Sequence, residues 1–141
     1  MAQVAKYAID TSALARIRQP SVASVLHPLI SAGLVATLSA LDFEDLYSAR
    51  SAEQFREMRW IRRTRYENLP TEELDWQRAL EIQATLADMG RWRDAGLVEL
   101  IVAAVCERHR VTVLHYDSDF ETIAEITGQD ARWVVPRGSV A

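Results

Sequence analysis

Two short apolar runs that stop at an aspartate, one near each end of the chain, limit what this sequence can fold into. The first is Tyr7-Ala8-Ile9-Asp10, followed at once by Thr11-Ser12-Ala13-Leu14. The second is Val111-Thr112-Val113-Leu114-His115-Tyr116-Asp117, followed by Ser118-Asp119-Phe120. Each run is short and rich in apolar or β-branched residues, and each gives way to a helical pattern, so each reads as a buried strand leading into a helix. A carboxylate at the carboxyl end of a strand stands where open α/β sheets form their binding crevices. Asp10 alone is equally well suited to capping the next helix, since aspartate accepts hydrogen bonds from the free N–H groups of a first turn. Two such strand ends, far apart in sequence, point to one carboxylate cluster assembled by the fold.

The segments between them alternate in character. A short helix is expected after Asp10 through Arg16, then a helix over 21–31 with Pro28 as a kink point. Gly33 stops it, and Leu34 to Leu38 reads as a second strand. Ser39 is the expected N-cap of a helix through Ala49 that carries Glu44 in its first turns, with Asp42 or Asp45 on its solvent side. Ser51 to Arg65 is arginine-rich, Tyr66 to Leu69 reads as a short strand, and a long amphipathic helix runs from Thr71 to Gly90. After the loop Arg91-Trp92-Arg93-Asp94-Ala95-Gly96 comes Leu97 to Arg108, apolar almost all round and therefore buried. A last strand is expected at Ala131 to Val135. Strands alternating with helices predict a three-layer α/β fold with a mainly parallel sheet of about five strands.

With 141 residues the chain is expected to form one domain, residues 1–141. Hydrophobic residues make up 49% and charged residues 26%, a globular balance, and no apolar run is long enough for a membrane span. No signal peptide is expected from the first residues, and the single cysteine, Cys106, excludes an internal disulfide framework, so a cytoplasmic protein is expected. A net charge of −4 argues against coating nucleic acid through bulk charge, yet acids around a metal site are compatible with arginines elsewhere. Five unclustered glycines provide no phosphate-binding loop. Ser12 lacks a nucleophile elbow, and His27, His109 and His115 lack metal spacing. A receiver-type domain would need a lysine near a later strand end, and Lys6 is the only lysine.

Asp10, Glu44, Glu99 and Asp117 all fall at element junctions, with Asp119 beside the last. Glu99 is conspicuous because a carboxylate in a buried helix must be paired, hydrated or bound to a cation. Two carboxylates about 4 Å apart repel by about 4 kcal/mol at an effective dielectric near 20, and a divalent cation removes that penalty. Hard oxygen ligands select Mg²⁺ or Mn²⁺ over zinc, and such an ion supports hydrolysis of a phosphodiester.

The chain resembles PIN-domain ribonucleases, in particular the VapC-type toxins of type II toxin–antitoxin systems. The segments that carry the resemblance are Ile9-Asp10-Thr11-Ser12-Ala13-Leu14, Phe43-Glu44-Asp45-Leu46-Tyr47-Ser48-Ala49-Arg50, Glu99-Leu100-Ile101-Val102-Ala103-Ala104, Leu114-His115-Tyr116-Asp117-Ser118-Asp119-Phe120 and Ile126-Thr127-Gly128-Gln129. They span nearly the whole chain in the family's order. The resemblance implies a three-layer α/β/α PIN-like fold and Mg²⁺- or Mn²⁺-dependent endoribonuclease activity on structured RNA, tRNA or rRNA, that arrests growth until neutralised. It implies catalytic roles for Asp10, Glu44, Glu99 and Asp117, metal ligation by Asp10, Glu99, Asp117 and Asp119, and a supporting role for Thr11 or Ser12. A small VapB-type antitoxin is implied as partner, in a groove where Arg50, Phe55 and Arg59 are the candidates, with a homodimeric toxin forming a heterotetramer or larger assembly. Arg91, Trp92 and Arg93 are the candidate RNA contact, an aromatic between two cations; the arginines from Arg56 to Arg65 suit either an RNA backbone or a solvated helix face. One departure stands out: the family typically has Asp-Leu-Leu-Ile-Ala-Ala where this chain has glutamate at 99. A shift of about 1 Å in a catalytic group can cost about 100-fold, so the alternative is a weakened, toxin-like binding module that pairs with antitoxin and RNA.

Overall fold

In the computed structural model, which describes residues 2–141, β1 (Tyr7–Ile9) is the central strand of a five-stranded sheet. The other strands are β2 (Val35–Thr37), β3 (Glu67–Asn68), β4 (Thr112–His115) and β5 (Ala131–Trp133). Their order is β3-β2-β1-β4-β5, and every neighbouring pair is parallel. The chain therefore winds outward from β1 in both directions, β2 to one side and β4 to the other. Strand order reverses at β1, and a crevice opens at the carboxyl ends beside such a switch point.

Alternation along the strands fixes the layers. Ala8, Ala36 and Val113 stand in one register row and project into one core, with Ile82 and Leu86 of α5 (Glu73–Asp88), Leu100 to Cys106 of α6 (Leu97–His109), and Phe120 and Ile123 of α7 (Asp119–Thr127). Their strand neighbours Ile9, Val35 and Leu114 project the other way. There they meet Ala13 of α1 (Thr11–Leu14) and Val22 and Leu26 of α2 (Pro20–Ser31). Period-two strands with both faces apolar require helices on both sides, and this is the expected α/β/α arrangement. Cys106 is fully buried in the first core, where burial pushes its thiol far above the ordinary range and keeps it inert.

Some expected boundaries shift. The helix after Asp10 ends at Leu14, and the next begins at Pro20, whose fixed φ and missing N–H suit a first helical position. That helix runs through Pro28 to Ser31; Pro28 and Ser24, whose carbonyl Pro28 leaves without its helical donor, are both exposed, so water can serve that carbonyl. The remaining helices are α3 (Ser39–Tyr47), capped by Leu38 and not by Ser39, and α4 (Ala52–Arg65), whose Ser51 hydroxyl accepts from Gln54 N–H. No helix among the described residues is long and apolar enough to cross a membrane.

Asp42 and Asp45 do not face solvent as expected. Arg62 of α4 is 5% exposed and donates to Asp42 Oδ1 at 2.6 Å, Asp45 Oδ2 at 2.9 Å and Thr37 Oγ1 at 2.9 Å. One guanidinium thus joins the end of β2 to the first turns of α3 and pairs with both carboxylates. Arg62 accordingly leaves the set of arginines available to an RNA backbone.

Candidate active site

Register gathers the site. Ile9 pairs with Leu114, so Asp10 emerges beside the end of β4, and its N–H donates to Leu114 O at 2.9 Å. Asp10 is 2% exposed and does cap α1: its Oδ2 accepts from Ser12 N–H at 3.0 Å and Ser12 Oγ–H at 2.5 Å. The Ser12 hydroxyl in turn accepts from Tyr116 N–H at 2.9 Å, stitching the turns after β1 and β4 together. Cap and site are therefore the same residue. Capping uses Oδ2 only, while Oδ1 is buried without a hydrogen-bond partner. A bare buried carboxylate oxygen costs several kcal/mol unless something binds it.

Asp10, Glu44 of α3 and Glu99 of α6 each bring a carboxylate oxygen within 4.8 Å of the others. Burial, followed by the charges of Glu44 and Asp117, raises the Asp10 pKa against the lowering effect of Ser12. Glu99, half-buried, is raised to about 7, first by burial and then by the charges of Asp10, Asp117 and Glu44. Crowded acids that resist ionisation are a cation trap: pairs this close repel by about 3–4 kcal/mol at an effective dielectric near 20. An all-oxygen donor set with one orphaned buried oxygen fits Mg²⁺ or Mn²⁺.

Asp117 lies near enough to raise both Asp10 and Glu99 but outside the trio of close oxygens. Its Oδ1 accepts from Asp119 N–H at 2.9 Å. Asp119, also expected as a ligand, lies outside the trio and has one oxygen engaged, its Oδ2 accepting from Gly96 N–H at 2.9 Å. Asp117 N–H donates to Nδ1 of His115, which is fully buried against Phe120 and Trp133. Burial lowers the His115 pKa to about 4, so the ring is neutral and structural, as its lack of ligand spacing implies. Thr11 Oγ1 is buried without a partner.

The outer candidates divide. Arg91 is ion-paired with Asp94 at 2.8 Å and Glu125 at 3.6 Å, while Arg93 stands 5.7 Å over the exposed Trp92 ring. Arg50 and Phe55 line one depression of about 540 Å³ with Tyr47. Arg59 does not join them; it lines a second, of about 490 Å³, with Arg56, Trp60 and Arg63. Sequence reasoning missed an apolar groove of about 490 Å³ beside Glu44, lined by Phe43, Tyr47, Trp76 and Leu97. Phe43 and Tyr47 are 80% and 89% exposed, an unusual outlay of aromatic surface. Their spacing around Glu44 was the available signal, but the same spacing describes a core face.

The crowding has a measurable consequence without metal. A carboxyl raised from 4.5 to about 7 contributes stability that is complete below about pH 4.5 and lost as pH rises through about 7. Glu99→Gln removes that ionisation. In EDTA the stability of the Gln protein relative to the natural chain is expected to grow by about 2 kcal/mol between about pH 5 and about pH 8, after allowing for solvent screening of a half-buried group. Taking the difference cancels His115, whose lowered pKa acts oppositely, losing stability as pH falls from 6.5 towards about 4. Urea unfolding at each pH measures the gap; a gap that does not change contradicts the crowding.

Comparison with known proteins adds to this geometry. The PIN domain profile matches residues 7–126. The chain is 43% identical over 134 residues to ribonuclease VapC21 of Mycobacterium tuberculosis, covering 95% of this chain and 97% of that protein. It is 36% identical over 135 residues to ribonuclease VapC51 of the same organism, covering 96% and 97%. Among solved structures, the fold matches a chain of the DNA-bound VapBC complex of Salmonella typhimurium with a TM-score of 0.71 at 19% identity, over 93% of this chain and 99% of that one. VapBC-5 of Mycobacterium tuberculosis matches with a TM-score of 0.60, also at 19% identity, over 93% and 99%.

Proposed function

The chain belongs to the PIN-domain family as a VapC-type member, and on that footing we propose that it is a Mg²⁺- or Mn²⁺-dependent endoribonuclease toxin. It acts as a single domain in the cytoplasm and cuts structured RNA, tRNA or rRNA, inhibiting translation and growth until an antitoxin binds. The observation that carries the reading is the trio of Asp10, Glu44 and Glu99 oxygens around an orphaned, buried Asp10 Oδ1. Glu99 joins that trio despite its extra methylene, which favours a working site over a weakened binding module.

Asp10, Glu44 and Glu99 would hold the ion, with Asp117 beside them. Bound there, the ion supplies Lewis acidity at a phosphoryl oxygen and a more acidic water. The chain's own residues do the positioning. Ser12 fixes one Asp10 oxygen and so leaves the other free to ligate. Arg62, through Asp42 and Thr37, holds the helix that carries Glu44. Arg91, Trp92 and Arg93 remain the proposed RNA contact.

A VapB-type antitoxin is the proposed partner of a homodimer, in an assembly of two of each or larger. The apolar groove of Phe43, Tyr47, Trp76 and Leu97 beside the acids suits an antitoxin segment with apolar anchors and a basic side chain, and the Arg50–Phe55 depression continues past Tyr47. Induced expression of the natural chain alone is expected to arrest growth, and co-expression of the antitoxin or substitution Asp10→Asn is expected to restore it. Arrest that persists unchanged with folded Asp10→Asn protein contradicts the proposal.

A further inference from the structure

Glu99 is one methylene longer than aspartate, and the local geometry accounts for the extra length. Gly96 is the N-cap of α6, and Glu99 is the third residue of that helix. At that spacing a glutamate ordinarily reaches back to accept the N-cap N–H, closing a capping box. Here the Gly96 N–H is already taken by Asp119 Oδ2 at 2.9 Å, a bond that spans 23 residues of sequence. Glu99 is not drawn onto it. Its carboxylate folds back over Gly96 Cα and meets Asp10 and Glu44.

A Cβ on residue 96 would occupy the space of Glu99 Oε2 and lie 3.2 Å from Glu99 Cδ, while Asp119 Oδ2 would be at an ordinary 3.5 Å. The backbone does not demand glycine, because φ −71° and ψ 159° suit any residue. What the position requires is the absence of a side chain, and only on account of Glu99.

We propose that Gly96 is a positioning residue: its missing Cβ is the seat over which Glu99 folds to reach the carboxylate cluster, while Asp119 holds the Gly96 N–H so that Glu99 is not captured as a cap. The consequence for metal binding rests on the function proposed above; the seat itself does not. Glycine at 96 and glutamate at 99 are thus a matched pair, and aspartate at 99, too short to reach over residue 96, releases the requirement.

The test compares the natural chain with Gly96→Ala, Glu99→Asp and the double variant, by crystal structure and by calorimetric titration with Mn²⁺. Gly96→Ala is expected to fold, since the obstructed atom is the tip of a flexible side chain. Its Glu99 carboxylate is expected to lie withdrawn from Asp10 and Glu44, and its Mn²⁺ affinity to fall at least about tenfold. On the Glu99→Asp background the same Gly96→Ala change is expected to alter affinity less than about twofold, because the obstruction it creates is with the longer Glu99 side chain and the effects of two residues in contact do not add. The proposal is overturned if Glu99 of the Gly96→Ala protein still reaches the cluster, or if Gly96→Ala weakens Mn²⁺ equally on both backgrounds. If the natural chain binds no Mn²⁺ while Gly96→Ala still displaces Glu99, the metal reading fails and the seat stands.

Discussion

Arg62→Ala is expected to destabilise the protein by about 3 kcal/mol, the low end of what breaking a buried ion pair from one side costs. Removing the guanidinium takes an N–H donor from each of Asp42, Asp45 and Thr37, and leaves Asp42 Oδ1 with the Thr37 hydroxyl at 2.7 Å. The two carboxylates keep some access to water, with side-chain exposures of 30% and 14%, which holds the loss below the upper end of the range. Arg63→Ala, on the exposed face of the same helix, is the control and is expected to change stability by no more than about 0.5 kcal/mol. Urea unfolding of the three proteins provides the comparison. Near-equal losses for Arg62 and Arg63 would mean that the network contributes nothing beyond helix propensity. Activity is expected to fall with Arg62 as well, because Asp42 anchors the helix that carries Glu44.

Asp10→Asn is expected to reduce Mn²⁺ affinity and metal-dependent RNA cleavage by at least about 100-fold, since even outer-shell changes at metal sites cost about 10–100-fold. Its stability in EDTA is expected to equal or exceed that of the natural chain. The asparagine oxygen can still accept from Ser12, so the cap survives. The substitution also removes a buried charge whose ionisation is opposed by burial and by Glu44 and Asp117. Loss of function with retained or raised stability separates a ligand from a structural cap. Calorimetric titration and urea unfolding measure the two halves, and a folded variant with undiminished Mn²⁺ affinity removes Asp10 from the site.

The sheet and its acids were legible because they rest on local signals. Short apolar runs ended by Asp10 and Asp117 are visible without tertiary knowledge, and parallel register then brings their ends together. Glu99 was legible as a charge in an otherwise apolar helix. What escaped were the pairings that only packing creates. Arg62 is one arginine among several on a polar helix, and nothing in its spacing marks it as the one that α3 turns towards. Asp42 and Asp45 looked like a solvent face for the same reason. Asp119 read as one more acid at a strand end, whereas its partner is a backbone N–H in a different loop. Gly96 read as the end of a loop, and its use emerges only when the path of the Glu99 side chain is known.

The most direct measurement is incubation of antitoxin-free protein with a mixed pool of tRNA and rRNA in Mn²⁺ and in EDTA. Discrete fragments in Mn²⁺ and intact RNA in EDTA are the predicted result. Cleavage that continues undiminished in EDTA, from protein shown to be free of other nucleases, would contradict a metal-dependent carboxylate site.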